Sequence, residues 1–228
     1  MCESKDSNNF KYNMYKKKNL EPYLCQGDII INYPKDKLQS FSPDEFFKGI
    51  IILSYTCDLK NDKLDNINYS PIYDIENLIT DIYNKLKNDD RIKKEIRKRK
   101  KEQKNPNEYI RSKVLDLLHR IFNYEDKSIF YLEADEIFNG KQCYAHLEQI
   151  YTMSLNLKDK KNQILDLIKN CCKASLTNPF IEKLGYMVGY CFNRVAIEVF
   201  DITSRNQIYD NKYKSRFEGL VNSILTQN

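Results

Sequence analysis

Ser54, Thr56, Cys57 and Asp58 stand together directly after the apolar run Ile50-Ile51-Ile52-Leu53. A run this short and β-branched reads as a buried strand, whose end would hold those side chains rigidly at a rim. A thiol there can serve as a nucleophile, and a carboxylate as a metal-binding or acid–base group. Asp28, after Gly27, offers a second carboxylate. Arg194, at the end of an apolar helical stripe in CFNRVAIEVF, offers a cation for an anionic group. Each has a plainer reading: a half-buried Cys, turn-forming Asp residues, and an Arg that caps a helix or pairs with a core acid. A nucleophilic Cys57 needs a base to lower its pKa from about 8.5. The two histidines, His119 and His146, lie at no spacing that brings either to it.

The other chemistry is charge. The chain of 228 residues carries 37 basic and 32 acidic residues, a formal +5. Eleven of the basic residues and only four acids fall between Lys85 and Lys104, so this segment alone is +7 and the remainder is slightly acidic. Arg91, Lys93, Lys94, Arg97, Lys98, Arg99, Lys100 and Lys101 would wrap nearly all round a helix. Such a rod suits a phosphate backbone, and equally a solvated, protruding helix. Only Ile92 and Ile96 continue an apolar stripe through it.

Several classes drop out. Seven cysteines without a CxxC pair give no structural zinc pattern, and six glycines supply no phosphate loop or dinucleotide fingerprint. No metal and no cofactor is expected. No apolar stretch approaches the roughly 20 residues of a membrane span. The polar N-terminus lacks a secretory core, so reduced thiols and a cytoplasmic protein with no membrane partner are expected.

The elements that must position these residues read as α+β. Residues 1–20 are polar and expected to be flexible. Short strands are expected at Ile29–Ile31, Ile50–Ser54 and Ile67–Tyr73, the last at a sheet edge because of Pro71. Asp74 caps a helix over Ile75–Leu86, and the break at Asn105-Pro106 starts another over residues 107–122. Strands follow at Ser128–Glu133 and Leu147–Ser154, joined by a loop through Asn139-Gly140. The rest is expected to be helical: Leu157–Ala174, a stripe from Phe180 to Val195 introduced by Thr177-Asn178-Pro179, and Tyr213–Thr226. The expected fold is a small antiparallel SH3-like β-barrel or sheet decorated by helices. Its core would be residues 21–74 plus 125–156, with a basic helical hairpin inserted at 75–124 and a helical region at 157–228.

The succession GDIII, GIIILS and INYSPIYD resembles the start of MazF/PemK-type toxins, small SH3-like barrels that act as endoribonucleases. Their site relies on an Arg near the second strand, where this chain reads Phe47-Lys48-Gly49-Ile50. The segment LSYTCDL resembles the SQTCD or THDCD signature of a broad group of poorly characterised bacterial proteins. That group also has a Tyr-Leu strand in mid-chain, here Phe130-Tyr131-Leu132, and a helix with an Arg-Val pair, here Arg194-Val195. The resemblance implies a phage-defence or toxin setting, in which the chain binds nucleic acid, RNA above DNA, with an endoribonuclease-like activity as a further expectation. The alternative is a non-catalytic sensor or adaptor that binds a ligand or a protein partner from the same operon.

Overall fold

The computed structural model describes residues 13–18, 23–38, 43–60, 64–102, 105–155, 161–193, 218, 219 and 221–223. Strands β1 (Tyr15–Lys17), β2 (Asp28–Ile31), β3 (Phe47–Ile52), β4 (Asn66–Asp74), β5 (Ile129–Leu132), β6 (Cys143–His146), β7 (Tyr151–Ser154) and β8 (Cys172–Leu176) form one sheet. The helices are α1 (Thr56–Lys60), α2 (Ile75–Asn88), α3 (Asp90–Lys101), α4 (Pro106–Phe122), α5 (Lys161–Cys171) and α6 (Phe180–Asn193). The sheet runs β1-β8-β2-β3-β4-β6-β5, with β7 also on β4, and every pairing is antiparallel. The expected α+β fold, an antiparallel sheet decorated by helices, is what forms.

The uninterrupted Ile runs follow from burial on both faces. Successive strand side chains point to opposite sides. Ile29, Ile51 and Ile72 join a core with Leu78 and Ile79 of α2, Val114 and Leu118 of α4 and Leu184 of α6. Ile30, Ile50 and Ile52 point the other way, into a second core with Ile67, Tyr69 and Ile168 of α5. A strand covered twice has no polar alternation to show.

The sheet curls into a half-barrel whose first strand approaches its last. Tyr15 Oη donates to the Glu133 carbonyl at 2.8 Å just past β5, and Glu133 N reaches Met14 Sδ at 3.3 Å. Met14 is fully buried and the Tyr15 ring meets Phe138 edge-on at 6.1 Å. Residues 13–18 are thus tied into the sheet, although the polar composition of the first 20 predicts a loose segment.

Four other expectations are corrected. The central strand ends at Ile52, and Thr56 opens a short helix in place of an extended rim. Pro71 is not at an edge, because β4 has partners on both sides. On its second side β7 takes Asn66–Tyr69 and β6 takes Ile72–Asp74, so Pro71 falls between two ladders, where a missing N–H breaks neither. The loop before residue 147 contains strand β6. The helix expected through Ala174 stops at Cys171, since residues 172–176 find ladder partners in β2 and β1, and a waiting sheet overrides local helical pattern.

The insertion between β4 and β5 comprises three helices. Asp74 caps α2 by accepting from Glu76 N at 3.1 Å. Asp89 accepts from Arg91 N at 2.7 Å and Ile92 N at 3.1 Å, which breaks the helical run and starts α3. Asn105 then caps α4 through Asn107 N at 3.0 Å. Of the expected C-terminal helix, residues 218, 219 and 221–223 are described and helical, with Val221 buried in the core.

Gly49, opposite Ile31, is required by closeness. A Cβ built there would stand 2.4 Å from the Ile30 carbonyl oxygen and 2.7 Å from Ile31 Cδ1. The oxygen is backbone and cannot step aside, so Gly49→Ala is expected to destabilise the fold by about 2–3 kcal/mol. The check is a lower urea midpoint with an unchanged slope.

Candidate functional site

The turn before β2 braces the rim after β3. Gly27 N donates to the Ile52 carbonyl at 2.9 Å, Gln26 Nε2 to the Leu53 carbonyl at 3.0 Å, and Gln26 N to Thr56 Oγ1 at 3.1 Å. Ser54, 8% exposed, accepts from Asn68 N at 2.8 Å and so ties β3 to β4. Asp28 is fully buried. Its carboxylate binds Lys18 Nζ, Cys25 N at 2.8 Å and Ser175 Oγ, which joins the ends of β1, β2 and β8. Burial alone would lower the Lys18 pKa, but the hydrogen bond and charge of Asp28 outweigh it and raise it. The partners of Asp28 are therefore Lys18, Cys25 and Ser175, not Asp58.

Cys57 and Asp58 do stand at the surface, on α1. Cys57 is exposed, with Sγ 3.8 Å from Asp58 Oδ1, and Asp58 is half-buried. Neither histidine joins them in a described hydrogen bond. His119 sits in the last turn of α4 beside Asn123 Nδ2, and His146 ends β6. Arg194 lies outside the described residues. Among the described residues no three His, Cys, Asp or Glu side chains group as a metal would require, and no helix is long and apolar enough to cross a membrane.

The basic segment forms α3, which has no buried residue. Ile92 and Ile96 pack its inner face against the core, while α3 rests on α2 and α4. At about 100° per residue, Arg91, Lys94, Lys98 and Lys101 line the opposite face over roughly 15 Å, with Arg97 beside them. All five are exposed. Arg99 is held inward: its Nε lies 3.4 Å from Glu95, and its guanidinium covers the Tyr109 ring of α4 at 4.5 Å. Lys93 stands 3.4 Å from Asp90.

A further cluster was not visible as one in the sequence. Tyr144 and His146 alternate along β6, so they share a face and look into a cleft of about 500 Å³ under α2 and α4. The cleft is also lined by Tyr73, by Asp81 and Lys85 of α2, and by Asp126 and Glu148. The Tyr73 and Tyr144 rings lie 5.7 Å apart. Burial first, then the charge of Asp44 and the neighbouring Tyr151 and Tyr144, raises the Tyr73 pKa, and burial with Asp81 and Asp44 pushes Tyr144 up to about 12. Ser128 Oγ donates to Asp126 Oδ1 at 2.7 Å, so that hydroxyl proton is directed at a carboxylate and not at an imidazole. His146 Nδ1 is buried without a hydrogen-bond partner. The sequence between the expected strands Ser128–Glu133 and Leu147–Ser154 reads as loop through Asn139-Gly140; the i, i+2 pairing of Tyr144 and His146 is the signal of the strand that forms there.

Burial, assisted by Lys85 and opposed by Glu148 and Asp126, holds the His146 pKa below its usual 6.5. A depressed histidine is neutral in the fold while the unfolded chain already binds a proton. Stability is therefore expected to fall as the pH drops from 6.5 towards the folded value. His146→Gln should flatten that part of the pH profile, measured by urea unfolding at closely spaced pH values.

Comparison with models of protein families, with curated proteins and with solved structures finds no match.

Proposed function

We propose that the chain binds nucleic acid, RNA above DNA, through the outer face of α3, in a phage-defence or toxin setting. The observation that carries this is the exposed row Arg91, Lys94, Lys98 and Lys101, with Arg97 alongside, on a helix whose other side is anchored by Ile92 and Ile96. Exposed cations release counterions from the polymer when they meet its phosphates. The row carries no aromatic platform and no Asn or Gln to read a base edge, so backbone contact is its chemistry. The preference for RNA, and cleavage as a further step, come from the resemblance to ribonuclease toxins; the surface thiol and carboxylate of α1 are the groups that reading would use.

Fluorescence anisotropy with single-stranded RNA, duplex RNA and duplex DNA tests the proposal. Four phosphate contacts predict an affinity loss of about a hundredfold between roughly 50 and 200 mM salt. RNA is expected to bind more tightly than DNA of the same sequence, and electrophoresis of the same samples scores cleavage. Binding that changes less than about threefold over that salt range removes α3 as the interface.

A further inference from the structure

We propose that the cleft beside β6 is a binding site for a free polyamine, the class of putrescine and spermidine, whose ammonium groups meet the carboxylates and whose methylenes lie on the apolar floor. This goes beyond nucleic-acid binding and uses none of the α3 cations.

The space comes first. About 500 Å³ is within the range of small-molecule pockets. The sign of the occupant follows from the lining: Asp44, Asp81, Asp126 and Glu148 against Lys85 alone. A phosphate-bearing ligand would face that excess, while a cation is attracted by it. A wider trough shares Asp126 and Glu148 and adds Glu125, but Arg120 and Lys127 offset two of these three acids, so the acidic excess is larger in the cleft.

The carboxylates come from separate places on the chain, α2, the approach to β3, the approach to β5 and the end of β6, and no three of the described acids group around one point. A compact metal ion would reach too few of them; a chain of charges separated by methylenes reaches several. Leu78, Ile82, Leu117 and Ile121 supply the apolar wall such methylenes need, and the paired rings of Tyr73 and Tyr144 complete the lining. His146 lines the same cleft, and a neutral imidazole carries one acceptor nitrogen. A polyamine answers the volume, the charge and the apolar wall together.

The test is isothermal titration of the full chain with putrescine and with spermidine at about 150 mM salt, with no nucleic acid present. Saturable one-to-one binding is expected. Asp81→Asn and Glu148→Gln, both at exposed positions that leave the core intact, should each weaken it by about tenfold. His146→Phe should weaken it as well, with the thermal transition as the check on folding. Asp166→Asn, which removes an exposed acid from α5, should leave affinity unchanged. Absence of saturable binding, or an equal loss in Asp166→Asn, overturns the proposal. So does displacement of the polyamine by an equal ionic strength of sodium chloride.

Discussion

Replacing Arg91, Lys94, Lys98 and Lys101 together by Gln is expected to lower RNA affinity about a thousandfold near 0.15 M salt, and to reduce the slope of log K against log salt by three to four. The four side chains form the outer row of α3; all are exposed, and the charge of Arg91 acts on exposed Asp89 at the start of the helix. The fold should not notice: Asp89 still caps the helix, and Ile92 and Ile96 still hold its inner face. Far-UV circular dichroism and an unchanged unfolding midpoint would establish that. Arg99→Gln is the instructive contrast, since Arg99 is engaged with Glu95 and the Tyr109 ring and contributes to seating α3 on α4. It should cost little affinity. A quadruple variant that binds within tenfold of the parent would remove the row from the interface.

Asp28→Asn is expected to lower stability by about 3 kcal/mol, because it breaks a buried ion pair and leaves Lys18 without its counter-charge. The carboxylate also holds Cys25 N and Ser175 Oγ, so the junction of β1, β2 and β8 loosens with it. Since Asp28 raises the Lys18 pKa above 10.5, the stabilisation is fully present below that value and fades only as the pH climbs through the raised one. Urea unfolding of the two proteins near pH 7 measures the difference. A catalytic Asp28 predicts the opposite pattern, lost activity with stability retained.

The class of fold was legible because the strongest signals were local and uncontradicted. Asp74 before a periodic apolar stripe, Asn105-Pro106 after a basic run, and Ile-Ile-Ile after Gly27-Asp28 each specify an element without help from elsewhere. What could not be read was pairing. Cys172-Lys173-Ala174 continues a helical stripe in sequence and becomes a strand because β2 and β1 stand open beside it. Pro71 argues for an edge only until two different strands are found sharing one side of β4. Tyr15–Lys17 is polar at two of three positions, and its place depends on Met14 and Tyr15 reaching across to Glu133.

The candidate site divided along the same line. A row of cations on one helix is a one-dimensional property, so α3 was visible. Asp28 and Asp58 read alike as acids beside turns. Only the fold distinguishes a carboxylate enclosed by Lys18, Cys25 and Ser175 from one on the outside of α1. The cleft at His146 draws its lining from residues between Asp44 and Gln149, far beyond any motif spacing.

The most direct measurement is amide hydrogen exchange of the full chain with and without a short RNA. Slowed exchange across residues 90–101, with Thr56–Lys60 and the amides around His146 unchanged, is the predicted result. Protection concentrated on Thr56–Lys60 while α3 exchanges as freely as before would contradict it.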